Sequence, residues 1–185
     1  MNAVAKVSFP VERLSEYEVP TFAIVPVING NMLTDLIAIF ERDRHFEPAG
    51  GYAGLVPQFF EYGHFDRYLM GEYESDSYWA KLGGIYLLGC DCGEVGCWPL
   101  VCRVMSIENT VVWGHFRQPH RPERDYSEFG PFVFDAEQYR RAVEELQANQ
   151  HSASTGRLSW STPNTSTPAP HNPSESPDGT GSQAS

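Results

Sequence analysis

A break in composition at His151 decides how much of this chain can fold. From there to Ser185, serine, threonine and proline supply 19 of 35 residues, and Leu158 and Trp160 are the only large apolar side chains. Such a segment buries too little apolar surface to offset the entropy of ordering it, so residues 151–185 are predicted to be a disordered tail. The core must come from residues 1–150, which suit a single globular domain.

The net charge is -11 at pH 7, and the tail carries only -1 of it, through Arg157 against Glu175 and Asp178. An acidic body repels phosphate backbones and anionic lipid, which argues against nucleic acid or membrane as the partner and leaves a basic protein partner compatible. The chain opens into alternating apolar residues with no secretory pattern, and Phe22 to Ile28 and Ile85 to Leu88 are far too short to cross a bilayer. The expected location is the cytoplasm. There a lasting structural disulfide is disfavoured, so the cysteines are weighed as metal ligands, redox thiols or buried free thiols.

Along the chain, Ala3, Ala5, Val7 and Phe9 alternate as in a strand, and the apolar run Thr21 to Ile28 is its predicted partner. Pro26 interrupts that run and predicts a bulge. Asn31 is the predicted N-cap of a helix over about Met32 to Asp43, with Leu33, Leu36, Ile37 and Phe40 inward. Residues 44–82 form a long connection rich in Gly, Tyr and Phe, whose aromatics are expected to pack over a sheet. Ile85 to Leu88, Leu100 to Met105 and Val111 to Phe116 predict a three-strand meander. Asp135 then opens a last helix with Gln138 as capping-box partner and Tyr139, Ala142, Val143 and Leu146 facing the core. The predicted class is α+β, a largely antiparallel sheet with two main helices and a long aromatic-rich connection.

The meander holds the one concentration of chemistry. Cys90, Cys92 and Cys97 fall within eight residues in Gly89-Cys90-Asp91-Cys92-Gly93-Glu94-Val95-Gly96-Cys97-Trp98-Pro99, and Cys102 follows. With extended strands up to Cys92 and from Cys97, strand parity places three sulfurs on one face of a hairpin tip and sends Cys102 to the core face. Three thiolates can hold Zn2+, with a fourth ligand from His120, His64 or water. The C-x-C-x4-C spacing leaves two other readings open, thiol redox chemistry, which ranks behind a metal, or free cysteines in a glycine turn. Asp91 and Glu94 should raise nearby thiol pKa values, which favours a metal over a nucleophile.

Other candidates are weaker. A two-residue Glu108-Asn109 loop would set Cys102 opposite His115, resembling a nucleophile and its base, although the apolar neighbours Val104, Val111 and Trp113 favour a core pair. Arg117, Arg121 and Arg124 surround His120 in the only cationic patch, where internal pairing is the default over anion binding. No catalytic residue is assigned.

The cysteine run, followed by Phe116-Arg117-Gln118-Pro119-His120-Arg121-Pro122, Tyr126 and Gly130-Pro131-Phe132-Val133-Phe134-Asp135, resembles a bacterial protein family marked by CxCGxxGCWP, QPHRP and GPFVFD. The resemblance spans about Pro20 to Leu146. The family has no established function, so the resemblance implies no activity and carries over no catalytic residue. In its pattern the position of Cys102 is usually apolar, in line with the parity argument. The functional expectation is therefore a small binding or accessory protein, more a non-enzyme than an enzyme, with a structural thiolate turn, Zn2+ on Cys90, Cys92, Cys97 and His120, and a protein partner. The alternatives are a thiol redox enzyme using the same cysteines, or an acidic immunity-type protein that binds a basic partner.

Overall fold

The computed structural model describes residues 3–15 and 17–154. Its first elements are β1 (Val4–Ala5), β2 (Val7–Ser8), β3 (Val11–Leu14), β4 (Thr21–Ile24), β5 (Val27–Ile28) and β6 (Asn31–Met32). Val7 faces Ile28 in one ladder and Val11 faces Ile24 in the next, so the two predicted N-terminal strands pair as one antiparallel ribbon. The register does not change across the gap. Pro10 and Pro26 interrupt the ladder there because neither can donate an N–H, and Pro26 therefore breaks the pairing without producing the predicted bulge.

Asn29 and Gly30 both take positive φ, 50° and 84°, and form the two-residue turn between β5 and β6. This turn corrects the predicted N-cap. Asn31 is used as a strand residue opposite Ile28, and α1 (Leu33–Asp43) starts after Met32 without a side-chain cap. The Leu33 N–H instead donates to the carbonyl of Pro26 at 2.8 Å.

The connection carries β7 (Tyr52–Ala53), α2 (Phe65–Leu69) and α3 (Tyr78–Leu82), short elements that periodicity alone does not reveal. Its aromatics pack as expected. Tyr62 stacks on Trp79, Tyr68 meets Tyr62, Phe65 and Trp79 edge-on, and Trp79 meets Tyr86 of β8 (Ile85–Cys90) edge-on at 5.2 Å. The meander follows as β8, β9 (Leu100–Ile107) and β10 (Thr110–Arg117), and β11 (Phe132–Asp135) leads into α4 (Ala136–Ser154). These strands make a six-stranded sheet in the order β1-β11-β10-β9-β8-β7, antiparallel except for the β1–β11 edge. The fold is α+β with two main helices.

Helix α4 buries Tyr139, Ala142, Val143 and Leu146 against the sheet, the predicted face. Asp135 caps it, accepting from the N–H groups of Glu137 and Gln138 at 3.1 and 2.8 Å. Gln138 does not reach back as a capping-box partner. Its amide spans to Val7, donating to the carbonyl at 2.7 Å and accepting from the N–H at 3.3 Å, which ties the N-terminal ribbon to the last helix. Behind this seam Trp113 donates to the Tyr139 hydroxyl at 3.0 Å, and that hydroxyl donates to the Leu69 carbonyl at 2.8 Å. The helix continues through His151 to Ser154. The rest of the predicted Ser/Thr/Pro-rich tail, from residue 155, lies outside the described residues. Among the described residues no helix is long and apolar enough to cross a membrane.

Candidate metal centre

Strand β8 positions the cysteines by changing partners. Leu88 still faces Leu100 of β9, but Gly89 and Cys90 pair with Ala53 and Tyr52 of β7. The chain between β8 and β9 is therefore not the symmetrical hairpin tip that strand parity predicts. It folds as a turn closed by the Gly93 N–H on the Cys90 carbonyl at 3.2 Å, then a single 3-10 turn over Val95–Cys97, closed by the Cys97 N–H on the Glu94 carbonyl at 3.2 Å. Val95 is buried and rests on Gly89, where a Cβ would lie 3.4 Å from its Cα. That one apolar side chain anchors the loop.

The convergence predicted from parity is nonetheless present. The Sγ atoms of Cys90, Cys92 and Cys97 all lie within 4.8 Å of one another, and no other group of three or more His, Cys, Asp or Glu side chains among the described residues could hold a metal ion. Cys92 and Cys97 are exposed with sulfurs 3.2 Å apart, and Cys90 is half-buried with its thiol directed at Asp91 Oδ1, 3.7 Å away. Cys102 is fully buried, as predicted, and burial holds its thiol well above the usual range.

The three thiols are not equivalent. Burial, then hydrogen bonding to Cys97, pushes Cys90 up to about 12. Cys92 moves down, chiefly because the Glu94 backbone N–H donates to it, and then because the Cys90 and Cys97 thiols do. At Cys97 the hydrogen bond from Cys90 pulls down but is outweighed by the bond to Cys92, lost hydration and the charges of Cys92 and Glu94, so the net shift is upward. The effect expected of Asp91 does act on Cys92, and the N–H of Glu94 exceeds it.

His120 reaches the loop without joining the sulfur group. Its Nε2 sits 2.8 Å from the carbonyl oxygen of Gly96, next to Cys97 in sequence. His64 is elsewhere, before α2, beside Glu61 and Arg67. The predicted Cys102–His115 pairing is broken by a bulge: Gly114 faces Arg103 but Arg117 faces Val101, and His115, at φ 52°, turns out to solvent.

The cationic patch is consumed internally. Arg117 donates to the Leu82 carbonyl, Arg121 stacks on Trp98 at 4.8 Å, and Arg124 pairs with Glu41 at 3.6 Å and donates to Pro48 O at 3.0 Å. Glu41 is the residue that sequence reasoning passed over. Fully buried, it accepts from the Gly50 N–H at 2.7 Å and from the Tyr52 and Tyr126 hydroxyls at 2.7 and 2.6 Å. Gly50 in turn accepts from Trp98 Nε1 at 3.0 Å, and the Gly51 carbonyl accepts from the Asp91 N–H at 3.1 Å. A buried carboxylate thus braces the cysteine loop from behind. Its signal was a spacing of four, since Leu33, Ile37 and Glu41 share the buried stripe of α1.

In front, Cys90, Asp91 and Cys92 line one wall of a cleft of about 530 Å³ between the β3–β4 ribbon, α1 and β7. Its other charged lining groups are Glu12 and Asp35, and Tyr17 and Phe59 meet edge-on at 5.2 Å on its rim. No protein-family model, curated protein or solved structure matches the chain.

Proposed function

We propose that this protein is a binding or accessory protein whose cysteine turn holds Zn2+ through Cys90, Cys92 and Cys97, with His120 as the closing ligand. The mutual approach of the three sulfurs within 4.8 Å carries the reading. On a tetrahedral zinc ion with Zn–S near 2.3 Å, thiolates stand about 3.8 Å apart. The Cys92–Cys97 pair, at 3.2 Å, must open by about 0.6 Å, and no pair must close by more than about 1 Å, movements within the reach of χ1 rotations. Binding would displace the thiol protons, the largest barrier being at Cys90. The Gly96 carbonyl must release His120 Nε2 for the imidazole to become the fourth ligand.

An ion at this place would clamp the end of β8 to the start of β9 where the two strands part. That is a structural role, and it leaves the cleft as the binding surface. Every charged group lining the cleft is acidic among the described residues, which supports a basic protein segment as its occupant. Elemental analysis of the full chain purified under reducing conditions tests the metal reading. The expected result is one zinc per chain, lost together with cooperative melting in Cys92→Ser, whereas a metal-free protein that melts cooperatively and is indifferent to added zinc refutes it.

A further inference from the structure

One contact in the cluster is tighter than zinc requires. Cys92 and Cys97 place their sulfurs 3.2 Å apart, inside the spacing of about 3.8 Å that a tetrahedral ion imposes. A disulfide needs about 2.05 Å, so closure asks for an approach of about 1.1 Å. The intervening loop allows it. Gly93 and Gly96 have nothing within 4 Å of where a Cβ would lie, so both corners move in open space while Val95 stays seated on Gly89. Both sulfurs are exposed to an incoming reagent. Cys90 is held back by its ladder with Tyr52, and Cys102 is buried on the far side of β9.

We infer that Cys92 and Cys97 form a dithiol–disulfide couple that exchanges with small-molecule disulfides, and that its oxidation empties the metal site. The exchange stands on the geometry of the pair alone, and only its consequence for zinc rests on the metal reading. One cysteine, as thiolate, attacks a sulfur of the disulfide RSSR. The S–S bond of the reagent breaks, one RS⁻ leaves and takes up the proton given up by that cysteine, and a mixed disulfide remains. The second cysteine then attacks the protein-side sulfur, the Cys92–Cys97 bond forms, and the second RS⁻ leaves with the second proton. Two cysteines lose two electrons and two protons, and RSSR becomes two RSH. Of the three sulfurs only Cys90 is left, too few to retain zinc.

The test uses reduced full-length protein with glutathione disulfide as the probe, in metal-free and zinc-loaded samples, read by peptide mapping after thiol blocking and by a colorimetric zinc indicator. The expected result is a single internal Cys92–Cys97 disulfide, reversed by reduced glutathione, with Cys90 and Cys102 still free and about one equivalent of zinc released in step. Cys97→Ser should stop at a glutathione adduct on Cys92. Glutathione adducts that persist on both residues of the wild type, or an internal bond that uses Cys90, overturn the inference. Zinc bound by the reduced protein with no internal disulfide refutes the couple and leaves the metal reading standing. An internal disulfide in a protein that never takes zinc refutes the metal reading and supports the exchange.

Discussion

Replacing Glu41 by alanine should destabilise this protein more than any surface change and should reach the cysteine turn without touching it. The carboxylate is fully buried and holds the Gly50 N–H, the hydroxyls of Tyr52 and Tyr126, and the guanidinium of Arg124, whose side chain is 4% exposed. Removing one partner of a buried ion pair costs about 3–5 kcal/mol because the other charge is stranded. Each orphaned hydroxyl adds about 1–3 kcal/mol, but these losses overlap at one small site, and water entering the vacated volume recovers part of them. We expect about 4–5 kcal/mol in total, which for a domain of this size lowers Tm by roughly 10–20 °C.

Glu41→Gln separates charge from shape. With its oxygen kept at the Oε1 position for the two tyrosines, it sets an NH2 against the Gly50 N–H, at a cost of about 2–3 kcal/mol. Urea melts followed by circular dichroism give both values. The second readout is zinc affinity, measured at a temperature where every variant is folded. Because Gly50 and Gly51 accept from Trp98 and Asp91, slack at Glu41 should weaken zinc binding by about tenfold, as loss of an outer-shell support does. An alanine variant within about 1 kcal/mol of wild type refutes the network argument. A destabilised variant with wild-type zinc affinity refutes the bracing argument alone.

His120→Ala should lower zinc affinity by about 10–100-fold with little change in the melting of the metal-free protein, and an unchanged affinity would leave the fourth position to water. Gly84→Ala should cost about 2–3 kcal/mol, since its Cβ would clash with the Cys102 carbonyl oxygen just before β8 pairs with β9; denaturant melts that show no loss would contradict that approach. Alkaline pH should destabilise the fold through its buried tyrosines. Burial raises Tyr52 and lifts Tyr126 to about 12, so this stability is complete below the unfolded tyrosine value near 10 and is lost as pH climbs from there towards 12. Urea midpoints that stay flat from pH 9 to 11, or that fall no less steeply in Tyr126→Phe, would contradict the assignment.

The larger elements were legible because each is specified by its own periodicity. The inward stripe of α4 and the meander β8–β9–β10 follow from spacing alone, and burial agrees residue by residue for Tyr139, Ala142, Val143 and Leu146. What failed were devices that depend on a distant partner. Asn31 has the composition of a cap, but the turn at Asn29-Gly30 claims it for a strand, and the Pro26 carbonyl satisfies the first helical amide. Gln138 stands where a capping box needs it, yet the peptide of the buried Val7, 131 residues away in sequence, is the stronger claimant. His115 is aligned with Cys102 by counting, and a bulge of one residue moves it to the other face of the sheet.

The cysteine cluster shows how a correct grouping can come from an incorrect local geometry. Parity argued from two extended strands, whereas β8 deserts β9 after Leu88 and the loop winds through a 3-10 turn. The grouping survives because the chain leaves few alternatives. Cys90 and Cys92 are separated by a single residue inside a closed turn, and the 3-10 turn that seats Val95 brings Cys97 back over them. Cys102 stays apart because it lies inside β9 itself, paired with Ile85 and fully buried, although Cys97 is not in the extended strand from which parity counted. On the proposed reading, a metal ion and an internal disulfide would compete for the same two sulfurs, Cys92 and Cys97. The 3.2 Å between them is about 0.6 Å short of the metal spacing and about 1.1 Å long of the bond, so either state would ask for a movement of about 1.1 Å or less at these two sulfurs.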